Sequence, residues 1–145
     1  MIRLATKADL PELARLGRLM HDQSTYAGLD YDEQAVASTL AELIDKSQFV
    51  SVNEAKNGTL TAVMVGMVTK SWFGQDSIAT ELALFTENKG GMAAVRLVKA
   101  FVAWARMAGA KQIRPAVSTG DERAVLFYER LGFQKTGATF VMSGE

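Results

Sequence analysis

Apolar positions along the chain follow two periods, and the switches between them mark out the elements. Residues 2–5 read as a short first strand. Leu10, Leu13, Leu16 and Met20 then recur at helical spacing, giving one apolar face to about residue 20. Asp9 can cap this helix, Pro11 suits its first turn, and Glu12 completes a capping-box spacing. Residues 21–30, polar around Tyr26 and Leu29, read as a loop. Asp32 opens a second helix that carries Val36, Leu40, Leu43 and Ile44 on one face.

Residues 48–53 and 60–70 are rich in β-formers and are separated by a polar segment ending in Asn57-Gly58. Both of those residues tolerate positive φ, so the pair predicts a hairpin. Residues 60–68 are almost unbroken apolar sequence, which predicts a strand covered on both faces. Trp72-Phe73-Gly74 marks a loop, and residues 78–85 form the next strand. A polar, glycine-bearing loop follows at 86–91, then a helix over 92–108. That helix has two apolar stripes, one through Val95, Val98, Val102 and Ala105, the other through Ala94, Leu97, Phe101 and Trp104. Two stripes imply a helix wedged between the sheet and something else. Gly109 ends it. Residues 112–117 read as a strand and 121–131 as a helix stopped by Gly132. The last extended run is 133–142, with Gly137 as a bulge. The methionines at 64, 67, 92 and 107 read as core filler. The order β-α-α-β-β-β-α-β-α-β predicts an α/β (α+β) fold: one domain over 1–145, a mixed sheet, and helices on both faces.

Composition narrows the chemistry. A chain of 145 residues with 48% hydrophobic and 22% charged residues is an ordinary single globular domain. Sixteen basic and sixteen acidic side chains cancel, which disfavours nucleic acid as a partner. The absence of cysteine removes disulfides, thiolate metal sites and cysteine nucleophiles, and one histidine is too few for a histidine-rich metal site. The apolar run at 60–68 is far short of the ~20 residues that span a bilayer. No apolar signal region follows the basic residues near the start, so the expected setting is soluble and cytoplasmic, away from membranes.

The strand at 78–85, the loop ending in Gly90-Gly91 and the long helix behind it form the strongest local signal. Glycines let backbone N–H groups approach a ligand, and a helix N-terminus offers unpaired donors and the positive end of a dipole. With Lys89 this suits a pyrophosphate, though a plain strand-to-helix turn gives the same pattern. Neither Gly-Lys-Ser/Thr nor Gly-x-Gly-x-x-Gly occurs there. Pro115, inside the strand at 112–117, cannot donate a ladder hydrogen bond. A strand splaying away from 78–85, an edge strand or a bulge each accommodates it.

The segment Ala124-Val125-Leu126-Phe127-Tyr128-Glu129-Arg130-Leu131-Gly132-Phe133 resembles the closing motif of the GNAT superfamily of N-acetyltransferases. Asn88-Lys89-Gly90-Gly91-Met92-Ala93 falls where that superfamily has its acetyl-CoA loop, and Ile2 to Leu10 resembles its opening strand and helix cap. Two positions depart from the pattern. Asn88 stands where Gln or Arg is usual, and Asp121 where Asn often contacts the cofactor, so Asp121 is expected to act mainly as a helix cap.

The resemblance implies a mostly antiparallel sheet in which a splayed strand pair takes the pantetheine arm. It implies acetyl transfer from acetyl-CoA, by direct attack of a primary amine on a small molecule or peptide, with no metal. The cofactor side would comprise Leu84, Phe85, Thr86, Asn88, Lys89, Gly90, Gly91, Met92, Ala93 and Phe127. A backbone N–H near residues 84–86 would stabilise the thioester oxygen. Tyr128 would protonate the leaving thiolate, and Glu81, or failing that His21, would accept the amine proton. His21, Tyr26 and Trp72 would shape the acceptor site, and Asp22, Asp30, Asp32 and Asp76 nearby suggest a cationic acceptor. Plain readings stand beside these: Tyr128 as a packed aromatic, Glu81 facing solvent or a partner subunit, His21 as a capping residue, Trp72 as a sheet-edge anchor. A homodimer is compatible with the fold. The rival function is a module of this fold that binds acyl-CoA, or a protein partner, without turnover.

Overall fold

The elements of the computed structural model, which describes residues 1–87 and 91–145, follow the two hydrophobic periods. In chain order they are β1 (Ile2–Leu4), α1 (Leu10–Gln23), α2 (Glu33–Asp45), β2 (Phe49–Glu54), β3 (Leu60–Lys70), β4 (Ser77–Thr86), α3 (Ala93–Met107), β5 (Gln112–Arg114) and α4 (Glu122–Arg130). The sheet is ordered β1-β2-β3-β4-β5. Its first four strands pair antiparallel. β5 lies parallel to β4 because α3 carries the chain back across the sheet between them. The expected mixed, mostly antiparallel sheet is therefore present. No helix among the described residues is long and apolar enough to cross a membrane.

Local signals explain most boundaries. Asp32 caps α2 by accepting from the N–H groups of Gln34 and Ala35 at 2.9 and 3.2 Å. Gly58 turns the β2–β3 hairpin at φ +87°, and Asn57 Oδ1 accepts the Thr59 N–H beside it. The start of α1 differs from expectation. A 3-10 turn, Lys7–Asp9, precedes it, and Asp9 looks backwards instead of capping the helix. Its carboxylate accepts the Thr6 N–H at 2.8 Å and two Arg3 guanidinium nitrogens at 2.8 and 3.0 Å. Arg3 also reaches Glu54, so β1, β2 and the helix entrance are tied by one guanidinium.

β3 is buried on both faces and separates two cores, as its unbroken apolar run predicts. Leu13, Leu16, Leu40 and Leu43 from α1 and α2 pack on one face against Val50, Val52, Val63 and Val65. On the other, Leu97, Val98, Phe101 and Ala105 of α3, with Tyr128 of α4, pack against Phe49, Ala62, Met64 and Ala79. Phe101 lies directly over Gly66, and a methyl group there would overlap its ring. The methionines divide: Met64 is buried, whereas Met92 and Met107 are exposed and are not core filler.

β4 changes faces part-way along. Val65 pairs with Ala83 but Gly66 pairs with Glu81, so Leu82 is an extra residue, a β-bulge. Period-two alternation would otherwise keep 79, 81, 83 and 85 on one side. With the bulge, Ala79 packs on the α3 side while Ala83 and Phe85 pack on the α1–α2 side.

Two expected strands are corrected. β5 ends at Arg114 instead of 117. Residues 133–142 form no strand, so Gly137 is no bulge; Phe133 packs on the α3-side core, but Phe140, Val141 and Met142 are about nine-tenths exposed. An extended segment needs an edge to satisfy its backbone, and β5, only three residues long, offers very little. Truncation after Gly137 should accordingly shift the thermal midpoint by less than about 2 °C, since residues without buried contacts contribute little. Gly66→Ala should cost about 1–3 kcal/mol in urea unfolding, because Phe101 must move.

Candidate active site

The parallel β4–β5 ladder runs for three pairs and stops at Thr80–Arg114, although β4 continues to Thr86. Pro115 accounts for the stop. The Lys111 N–H donates to Ser77 O at 2.8 Å, so alternation turns the nitrogens of residues 113 and 115 toward β4 as well. Position 115 has no N–H to give, and the ladder ends there. Glu81, the next β4 residue, fills the break with its side chain. Its Oε2 accepts the Ala116 N–H at 2.9 Å and the Tyr128 hydroxyl at 3.1 Å.

Tyr128 is delivered by α4. Asp121 caps that helix through the Arg123 N–H, as expected, and Gly132 ends it at φ +97°. The Tyr128 ring is buried edge-on between Phe127 and Phe133, at 5.2 and 5.6 Å between centroids. Burial pushes the Glu81 carboxyl above the ordinary glutamate range, against the two hydrogen bonds that favour its charge. Burial, then the Glu81 charge and the hydrogen bond, push the Tyr128 phenol well above its usual range. The proton therefore rests on the tyrosine.

Beyond Glu81, β4 has no β5 partner among the described residues. The Glu87 N–H donates to Thr61 O at 2.9 Å, so alternation turns the Phe85 N–H to β3 and those of Leu84 and Thr86 to the open side. α3 begins past this open edge. Its N-cap, Met92, makes no side-chain cap among the described residues, its first turn holds no acidic residue, and Arg96 follows one turn in, the arrangement that favours an anion at a helix N-terminus.

No family model and no curated protein matches the sequence. Solved structures do match across the full chain. Glucosamine-6-phosphate N-acetyltransferase from Arabidopsis thaliana is 14% identical with a TM-score of 0.77, covering 100% of this chain and 98% of that one. AAC(6')-Iy, in complex with the bisubstrate analogue CoA-S-monomethyl-acetylneamine, is 13% identical with a TM-score of 0.80, covering 100% and 97%. A transcriptional regulator from Bacillus halodurans C-125 is 20% identical with a TM-score of 0.80, covering 99% and 98%. The chain has the GNAT acetyltransferase fold.

Within the GNAT fold the sequence-predicted residues separate into groups. Glu81 and Tyr128 come together as a hydrogen-bonded pair, and Phe127 packs edge-on to Tyr128. Leu84, Thr86, Gly91, Met92 and Ala93 lie along the open edge of β4 and the start of α3. Phe85 does not join them: its N–H faces β3 and its ring is buried in the α1–α2 core. Asn88, Lys89 and Gly90 fall outside the described residues. His21 and Tyr26 line one cavity of about 220 Å³ between α1, α2 and the sheet. Trp72 does not reach it; it is exposed at the β3–β4 turn, edge-on to Phe73 at 5.4 Å. The described residues contain no cluster of potential metal ligands.

Two contributors were missed in the sequence. Ala116 acts through its backbone, which no side-chain pattern announces. Tyr31 packs against His21 and over Gly17, where a methyl group would collide with its hydroxyl. A glycine inside an amphipathic helix was the available hint of such a close approach.

Glu81→Gln separates charge from geometry. An amide oxygen can still accept from Ala116 and Tyr128, but it carries no buried charge. Because the folded carboxyl titrates above its unfolded value of about 4.3, the wild type loses stability as pH rises through the folded value. The amide variant should therefore melt higher than wild type at pH 7. Differential scanning calorimetry should show the gap closing as pH falls toward 4; a constant gap would contradict a buried, titrating carboxylate.

Proposed function

We propose that this protein transfers an acetyl group from acetyl-CoA to a primary amine. The observation that carries the reading is the Glu81–Tyr128 pair at the point where the β4–β5 ladder breaks. The open edge of β4 supports entry of the pantetheine arm there, and the uncapped start of α3 supports the pyrophosphate. The amine nitrogen attacks the thioester carbonyl carbon, and the Leu84 and Thr86 N–H groups are the donors best placed for the oxygen as it gains charge. The C–S bond breaks and CoA leaves as a thiolate.

The proton balance follows from the pair. While Glu81 is ionised, it holds the Tyr128 hydroxyl. Once Glu81 takes the proton from the attacking amine, it turns from acceptor to donor and releases that hydroxyl. Tyr128 then gives its proton to the thiolate and regains the amine's proton from Glu81, so the net result is one proton moved from amine to CoA and the pair restored. Burial raises the Glu81 carboxyl's affinity for a proton, which favours its taking one from the amine.

Amine-dependent release of CoA thiol tests the reading. Tyr128→Phe should lower kcat by about 100-fold, the usual scale for losing a general acid, with little change in KM for acetyl-CoA. The rival, an acyl-CoA-binding module, predicts stabilisation by acetyl-CoA with no thiol release from any amine. An unchanged kcat in Tyr128→Phe would remove the tyrosine from the chemistry.

A further inference from the structure

Glu87 carries the wrong charge for its position. It follows β4 directly and stands four residues before Gly91 and six before α3 begins at Ala93. A free carboxylate there would repel the diphosphate that the start of α3 favours. Glu87 is not left free. The Arg15 guanidinium of α1 donates from Nη2 to Glu87 Oε1 at 2.9 Å, the one ion pair of Glu87 among the described residues.

Arg15 is itself held in place. Its Nε and Nη2 donate to the two Glu12 carboxylate oxygens at 3.2 Å each, and Nη2 also reaches Leu60 O at 3.3 Å. Its own helix and the first residue of β3 thus brace the fork before it meets Glu87. The hydrogen bond to Glu87, ahead of that to Glu12, raises the Arg15 guanidinium above its usual range. Glu87 is fixed through its backbone as well, with its N–H on Thr61 O.

The pairing also sets a direction. Ala83 and Phe85 pack on the α1–α2 side, so alternation turns the Glu87 side chain to that same face. α3 packs on the opposite face. The Arg15 and Glu87 side chains remain 40% and 37% exposed, and an ion pair that open adds little to stability. Its consequence lies in where it puts a charge.

We propose that Arg15 is a positioning residue for acetyl-CoA: it holds Glu87 on the α1 face and cancels a charge that would otherwise repel the diphosphate at the start of α3. The proposal rests on the acetyl-transfer reading, which supplies the anion.

Calorimetric titration of acetyl-CoA into the full chain tests it. At low salt, Arg15→Ala should bind acetyl-CoA about three- to tenfold more weakly than wild type, and high salt should close the gap by screening exposed charges. Arg15→Ala/Glu87→Gln should return to within about twofold of wild type, whereas Arg15→Ala/Glu12→Gln should stay weak. The thermal midpoint of Arg15→Ala should fall by less than about 4 °C. If Arg15→Ala fails to fold, Arg15→Gln carries the same comparison. Wild-type affinity in Arg15→Ala overturns the proposal. A weakness that Glu87→Gln does not relieve also overturns it, because Arg15 is then a structural strut. Either result leaves the acetyl-transfer reading standing, since wild type still binds. A wild type that takes up no acetyl-CoA removes that reading and the proposal with it.

Discussion

One missing N–H organises the site. The parallel pairing of β4 with the edge strand β5 closes over three residues, and Pro115 stops it. The backbone donor that follows, on Ala116, is taken up by the Glu81 side chain instead of by a strand. That substitution draws a carboxylate into a place where burial raises its affinity for a proton, and it brings the carboxylate against the Tyr128 hydroxyl. The bulge at Leu82 complements it. By flipping the face of β4 between Ala79 and Ala83, it lets Glu81 belong to the α3–α4 side while Ala83 reaches the cavity on the other.

The two faces of the sheet therefore carry different chemistry. One presents an uncapped helix start and the proton-holding pair; the other presents an apolar chamber with a single imidazole. Their meeting place is the gap between β4 and the segment after β5, fastened from the α1–α2 side by the Thr25–Ser118 hydrogen bond. Rigid packing supports the α3–α4 side: Phe101 is locked over Gly66, and Tyr128 is clamped by Phe127 and Phe133.

Elements with a strong local signal were legible in the sequence. β3 announced itself by its unbroken apolar run, α2 and α4 by Asp32 and Asp121, the hairpin by Asn57-Gly58. What depends on long-range partners was less so. Asp9 has the chemistry of a cap but is claimed by Arg3, whose hydrogen bonds lower its carboxyl's affinity for a proton. Residues 133–142 have the composition of a strand and no edge to join. Glu81 and Tyr128 were readable as candidates through resemblance, but their mutual hydrogen bond depends on a ladder break that lies 13 residues from Tyr128, across a loop and a helix. The acids of the loops are visible in sequence, whereas the apolar walls beside His21 become visible only in the fold.

The central claim is that the break in the β4–β5 ladder receives acetyl-CoA. Backbone amide resonances recorded while acetyl-CoA is titrated into the protein test it most directly. The account predicts the largest shifts at Leu84, Thr86, Ala116 and the first turn of α3, with the β1–β2 and β2–β3 pairings undisturbed. Shifts centred elsewhere, or none at saturating acetyl-CoA, would contradict it.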